Sequence, residues 1–89
     1  MQELNITIRN KVGLHARPAA LFVKAAKGFK SKILVSKDNR VADAKSILNV
    51  LTLGAGQGAN VTLRAEGEDE ALAIEALKDL IESNFGEPE

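Results

Sequence analysis

Leu4, Ile6 and Ile8 alternate with Asn5, Thr7 and Arg9, and near the other end Val61, Leu63 and Ala65 alternate with Thr62, Arg64 and Glu66. Side chains of a strand point to opposite faces with a period of two, so each segment predicts a strand with one apolar and one polar face. Two further β-rich stretches, residues 32–37 and 40–43, are separated only by Asp38-Asn39 and predict a hairpin. Four such strands form an antiparallel sheet that buries one face and leaves the other in water.

The segments between the strands carry the other period. From about Ala16 to Lys27, Ala19, Phe22, Val23 and Ala26 recur at helical spacing, and Gly28 suits a left-handed residue after the last turn. Ser46 precedes the apolar run Ile47 to Leu53, where its hydroxyl suits the cap of a short helix that stops at Gly54. Glu68, Asp69 and Glu70 open a last helix whose Ala73, Ile74, Leu77, Leu80 and Ile81 form an apolar stripe, and the tail from Gly86 to Glu89 is expected to fray. The predicted order is βαββαβα, an α+β open-faced β-sandwich with three helices covering one face. At 89 residues the chain has material for one core, read as a single domain over 1–89.

Composition then removes whole classes of function. There is no cysteine and only one histidine, which leaves no disulfide framework, no thiol catalysis and no His/Cys metal site. Twelve basic residues against twelve acidic ones give no general drive toward nucleic acid, and three Phe with no Trp or Tyr leave few platforms for base stacking. No apolar stretch approaches the roughly 20 residues that span a bilayer, and Met1-Gln2-Glu3 lacks the layout of a signal peptide. A cytoplasmic chain without membrane insertion is the expectation, with no cofactor or metal.

The single histidine is the candidate nucleophile. His15 stands at the predicted start of the first helix, followed by Ala16-Arg17-Pro18. Unpaired N–H groups and the positive end of the helix dipole collect there, an arrangement that holds anions. Arg17 adds a forked cation suited to phosphate, Pro18 stiffens the turn, and Gly13 permits a sharp entry. A neutral imidazole in that setting can attack a phosphoryl group and carry it. The plain alternative is a surface histidine at a helix cap.

Gly13-Leu14-His15-Ala16-Arg17-Pro18-Ala19-Ala20 resembles, without a gap, the active-site signature of the HPr family, the histidine-containing phosphocarriers of the bacterial phosphoenolpyruvate:sugar phosphotransferase system. Lys45-Ser46-Ile47, running to Leu53-Gly54, is similar to the family's regulatory serine segment. The resemblance implies strand order 1-4-2-3 and a carrier, not an enzyme with substrate turnover. His15 would accept a phosphoryl group on Nδ1 from phosphorylated enzyme I and pass it to a sugar-specific enzyme IIA. Arg17 would neutralise its charge, and the turn at Ala16 and Pro18 would orient it.

The same resemblance makes Ser46 a regulatory phosphorylation site, the target of an HPr kinase/phosphorylase in low-GC Gram-positive members and a link to a catabolite-control transcription regulator. A plain helix cap explains a serine there equally well. Leu48 and Leu51 stand where Met is frequent in those members, and Asn49 where Gly is frequent. Ala20, Lys24 and Lys27 share a side of the first helix with Arg17, and Ile47, Leu48 and Leu51 offer more apolar area than a short helix buries beneath itself. Together they predict a basic-rimmed apolar docking surface for acidic partners, on a chain expected to be monomeric.

Three other readings compete: a paralogue serving a nitrogen-related phosphotransferase branch, a small α+β acylphosphatase-like enzyme, and a purely regulatory protein working through Ser46. The enzyme would not need His15. Known examples of the regulatory class lack that histidine.

Overall fold

In the computed structural model, which describes residues 1–86, the first alternating segment forms β1 (Gln2–Thr7) and leads into α1 (Ala16–Lys27). The hairpin follows as β2 (Lys32–Lys37) and β3 (Arg40–Asp43), then α2 (Ile47–Leu51), β4 (Asn60–Glu66), α3 (Glu70–Glu82) and a 3-10 turn at Asn84–Gly86. The four strands make one antiparallel sheet in the order β1-β4-β2-β3, as the family resemblance implied.

Register explains why the sheet has one dry face. Leu4 lies opposite Leu63, Leu63 opposite Val35, and Val35 opposite Ala42, so one apolar row crosses all four strands. One residue along, Glu3, Arg64, Leu34 and Asp43 form the matching row on the open face. There Arg64 pairs with Glu3 at 2.8 Å and Thr7 Oγ1 donates to Asn60 Oδ1 at 2.6 Å. A slip of one residue would exchange the two faces, so burial of the apolar rows sets the register.

The helices cover the apolar rows. α3 packs across β1 and β4, α2 packs against β3, and α1 lies against both other helices. Phe22, Ile8, Ile33, Leu53, Leu63, Leu77 and Ile81 are almost wholly removed from water. Each such side chain contributes about 1.5–3 kcal/mol of transfer free energy. With no disulfide available, this packing carries the stability.

Several local expectations are corrected. Gly28 is right-handed (φ −72°), because its N–H and that of Phe29 close tighter bonds to Ala25 O and Ala26 O. The short helix ends at Leu51 and not at Gly54: the Thr52 N–H is shared between Leu48 O and Asn49 O, and Gly54 supplies a left-handed exit (φ +64°). In the hairpin turn Asp38 alone has a positive φ (+55°). Asp69 is the N-cap residue of α3, yet its side chain does not cap that helix. At the tail, Gly86 belongs to the 3-10 turn, and the expected fraying of 87–89 lies outside the described residues.

Candidate functional site

His15 is the N-cap residue of α1, with extended backbone (φ −80°, ψ −175°) and an exposed side chain that makes no capping bond. Its carbonyl begins the helix by accepting from Ala19 N at 2.8 Å. Ala16 and Arg17 follow with backbone N–H groups that have no acceptor among the described residues, and Pro18 has no N–H to offer. Two donors therefore lie unused at the positive end of a twelve-residue helix whose first turn carries no acidic residue. Arg17 is exposed and forms no ion pair among the described residues, so its guanidinium is uncommitted.

The turn ahead of His15 is built from backbone. Gly13 has φ +62°, and a Cβ there would sit 2.3 Å from Ala55 O and 2.5 Å from Gly56 Cα. The neighbouring Leu14 N–H donates to Ala55 O at 2.7 Å. Gly13 N–H donates to Asn10 O at 3.1 Å, and Asn10 Nδ2 donates to Gly13 O at 2.9 Å. Asn10 lies in the loop between β1 and α1, where the sequence marks only Gly13. Apart from Asn10, the partners of this turn are main-chain atoms of Ala55 and Gly56, some forty residues away, which leave no periodic signal in the sequence.

The segment Gly54 to Gly58 is tied along the same seam. Gly58 N–H donates to Ile8 O at 2.7 Å, and Ile8 N–H donates to Ala59 O at 2.8 Å. Together the two loops enclose an open depression of about 340 Å³ lined by Val12, Leu14, His15, Leu51, Gly54, Ala55 and Gly56. A larger depression of about 480 Å³ beside β1 and the end of α3 is lined by Asn5, Ile6, Thr7, Arg9, Asn60 and Glu82, and includes neither His15 nor Arg17.

Five of the six expected docking residues line two depressions, and Leu48 lines neither. Ala20, Lys24, Lys27 and Ile47 line a shallow apolar depression together with Val23, while Leu51 lines the depression of His15. Leu48 is 73% exposed, and Ile47 and Leu51 are each 39% exposed. The short helix supplies the core through Val50, so its other three apolar side chains remain at the surface.

Charge is distributed unevenly behind the overall balance. Residues 1–65 hold eleven of the twelve basic side chains and three acidic ones; residues 66–89 hold one basic and nine acidic. One of the basic groups, Lys45 Nζ, donates to Phe29 O at 2.7 Å and is thus tied to the end of α1. Ser46, half-buried, caps α2 by accepting from Asn49 N at 3.4 Å, a long and weak bond. Among the described residues no group of His and carboxylates is arranged to hold a metal ion, and no helix is long and apolar enough to cross a membrane.

Comparison with known proteins gives a consistent assignment. The family described as the PTS HPr component phosphorylation site matches residues 2–83. The phosphocarrier protein HPr of Cupriavidus necator is 46% identical over 89 residues, the whole of both chains. The HPr-like protein Crh of Halalkalibacterium halodurans is 46% identical over 82 residues, 92% of this chain and 98% of its own. Among solved structures, HPr-C-His from Thermoanaerobacter tengcongensis superposes with a TM-score of 0.97 at 58% identity, covering 100% of both chains. Fold, sequence and family match agree, and the chain belongs to the HPr family of phosphotransferase-system phosphocarriers.

Proposed function

We propose that this chain is a cytoplasmic carrier that takes one phosphoryl group onto His15 Nδ1 from phosphorylated enzyme I and passes it to a histidine of a sugar-specific enzyme IIA. The observation that carries the reading is the exposed His15 imidazole at a helix start where two N–H groups and the Arg17 guanidinium have no partner among the described residues. In the transfer, the bond from Nδ1 to phosphorus forms as the donor's nitrogen–phosphorus bond breaks, and the donor imidazole leaves with its electron pair. The N–H groups of Ala16 and Arg17 receive phosphoryl oxygens, Arg17 balances their charge, and Pro18 keeps the turn in place. His15 is exposed, which suits a carrier that must release the group.

Docking falls to Ala20, Lys24, Lys27, Ile47, Leu48 and Leu51, an exposed apolar centre rimmed by lysines beside His15. Such a surface suits transient partners that present acidic grooves. Ser46 extends the reading to regulation by an HPr kinase/phosphorylase. A phosphate there adds about two negative charges next to Ile47, at the edge of the same surface, and so alters docking. A purely regulatory protein would have no use for a nucleophile at position 15.

The test is incubation with phosphoenolpyruvate and enzyme I, followed by mass measurement. One acid-labile, base-stable phosphoryl group is expected on the wild-type chain and none on His15→Ala. No gain with several enzyme I sources would sink the reading.

A further inference from the structure

The peptide unit joining Gly13 to Leu14, immediately ahead of His15, is held at both ends. Its carbonyl accepts from Asn10 Nδ2 at 2.9 Å, and its N–H donates to Ala55 O at 2.7 Å. Asn10 is 2% exposed, one of two buried polar residues among those described. We infer that Asn10 is a positioning residue for phosphoryl transfer at His15, acting through this peptide unit; the inference rests on the phosphocarrier reading above.

A buried amide is retained where its hydrogen bonds repay the loss of water. Here the amide is spent on the backbone of a left-handed glycine, Gly13 (φ +62°), packed against Ala55 O and Gly56 with no space for a Cβ. A peptide plane beside such a glycine is free to rotate unless both of its polar ends are fixed. Rotation would take the Leu14 N–H away from Ala55 O and turn the chain direction at His15. Leu14, buried next to the exposed His15, transmits that turn to the imidazole and to the N–H groups of Ala16 and Arg17. In group transfer a displacement of about 1 Å costs up to roughly a hundredfold in rate. Of the docking residues, Ala20, Lys24, Lys27, Ile47 and Leu48 lie further along α1 and on α2, outside this contact, and Leu51 alone shares the depression of His15.

That separation gives the inference a signature that lost stability would not produce. With enzyme I and phosphoenolpyruvate, Asn10→Ala is expected to lower the maximal transfer rate about ten- to a hundredfold while KM for the carrier stays within about twofold. Asn10→Asp, which keeps the shape but replaces the donor with an acceptor, is expected to fall at least as far at neutral pH. A natively folded Asn10→Ala with the wild-type maximal rate overturns the inference, as does a fall that appears only in KM. Where Asn10→Ala does not fold, Asn10→Ser carries the same comparison. In the wild-type chain, Leu14 N–H and the Asn10 side-chain amide protons should exchange slowly with solvent; free exchange also overturns it. Failure of the wild-type chain to gain a phosphoryl group is a different result, and contradicts the phosphocarrier reading instead.

Discussion

The carboxylate of Asp69 accepts three hydrogen bonds from the chain leaving α1: Lys30 N–H at 2.8 Å, Ser31 N–H at 2.9 Å, and the Ser31 hydroxyl. It ties the head of α3 to the tail of α1, at the end of α1 opposite His15. The Ser31 hydroxyl first, then the Lys30 N–H, hold its pKa down at about 2 against an ordinary 3.8. A carboxyl lowered on folding stabilises the fold in full above its unfolded pKa and loses that contribution as pH falls through the folded value. Urea midpoints of wild type and Asp69→Ala are therefore expected to differ most above about pH 4 and to draw together toward pH 2. A gap that is constant with pH would contradict the linkage.

Gly13 and Gly54 both have left-handed backbone, and only one of them is packed. Gly54→Ala meets nothing within 4 Å and should cost only the backbone term, about 1–2 kcal/mol. Gly13→Ala places its Cβ 2.3 Å from Ala55 O and adds overpacking, for about 3–4 kcal/mol in all. Thermal melts of the two variants check the order, each kcal/mol moving Tm by roughly 4–8 °C in a domain of this size.

The amino terminus of Met1 lies 2.9 Å from Glu70 Oε2, and this contact raises the amine pKa above 8.0. Glu70 is lowered in return, by the amine first and then by the Gly67 N–H. A base raised on folding contributes fully below its unfolded pKa and loses that contribution as pH rises through the folded value. Denaturation midpoints should decline above about pH 8, and acetylation of Met1 should flatten that decline. An acetylated chain with the same alkaline slope would contradict this.

The strands, the helices and the histidine were legible because each follows from a local rule. Leu4, Ile6 and Ile8 alternate, Phe22, Val23 and Ala26 share a helical face, and Gly13 to Pro18 is a contiguous motif. What escaped the sequence is long-range or main-chain in nature. Asp69 reads as one of three acidic residues that open the last helix, yet its carboxylate turns away from that helix to Ser31, thirty-eight residues distant. The contact of Asn10 leaves no mark in the sequence because its partner Gly13 O is a main-chain carbonyl, and every residue has one. Asn84 (φ +56°) tolerates a left-handed backbone, but Phe85 (φ +57°) adopts it against its own preference, and burial of the Phe85 ring accompanies that conformation.

Leu48, at 73% exposure, contributes little to the core, so Leu48→Asp should leave stability within about 0.5 kcal/mol of wild type. The same substitution places a negative charge in the proposed docking surface and is expected to raise KM for the carrier in the enzyme I assay about tenfold, with the maximal rate little changed. Lys24→Glu should act in the same direction and lose its effect in high salt. Wild-type KM for both variants would remove this surface from the account.

In the proposed transfer the His15 imidazole itself carries the phosphoryl group. Nitrogen-15 NMR of histidine-labelled protein, recorded before and after reaction with phosphoenolpyruvate and enzyme I, tests it most directly, since the chain holds one histidine and its two ring nitrogens give distinct signals. Phosphorus coupling and a large shift are expected at Nδ1, with Nε2 bearing no phosphorus. An unchanged imidazole in a chain that has gained phosphate would contradict it.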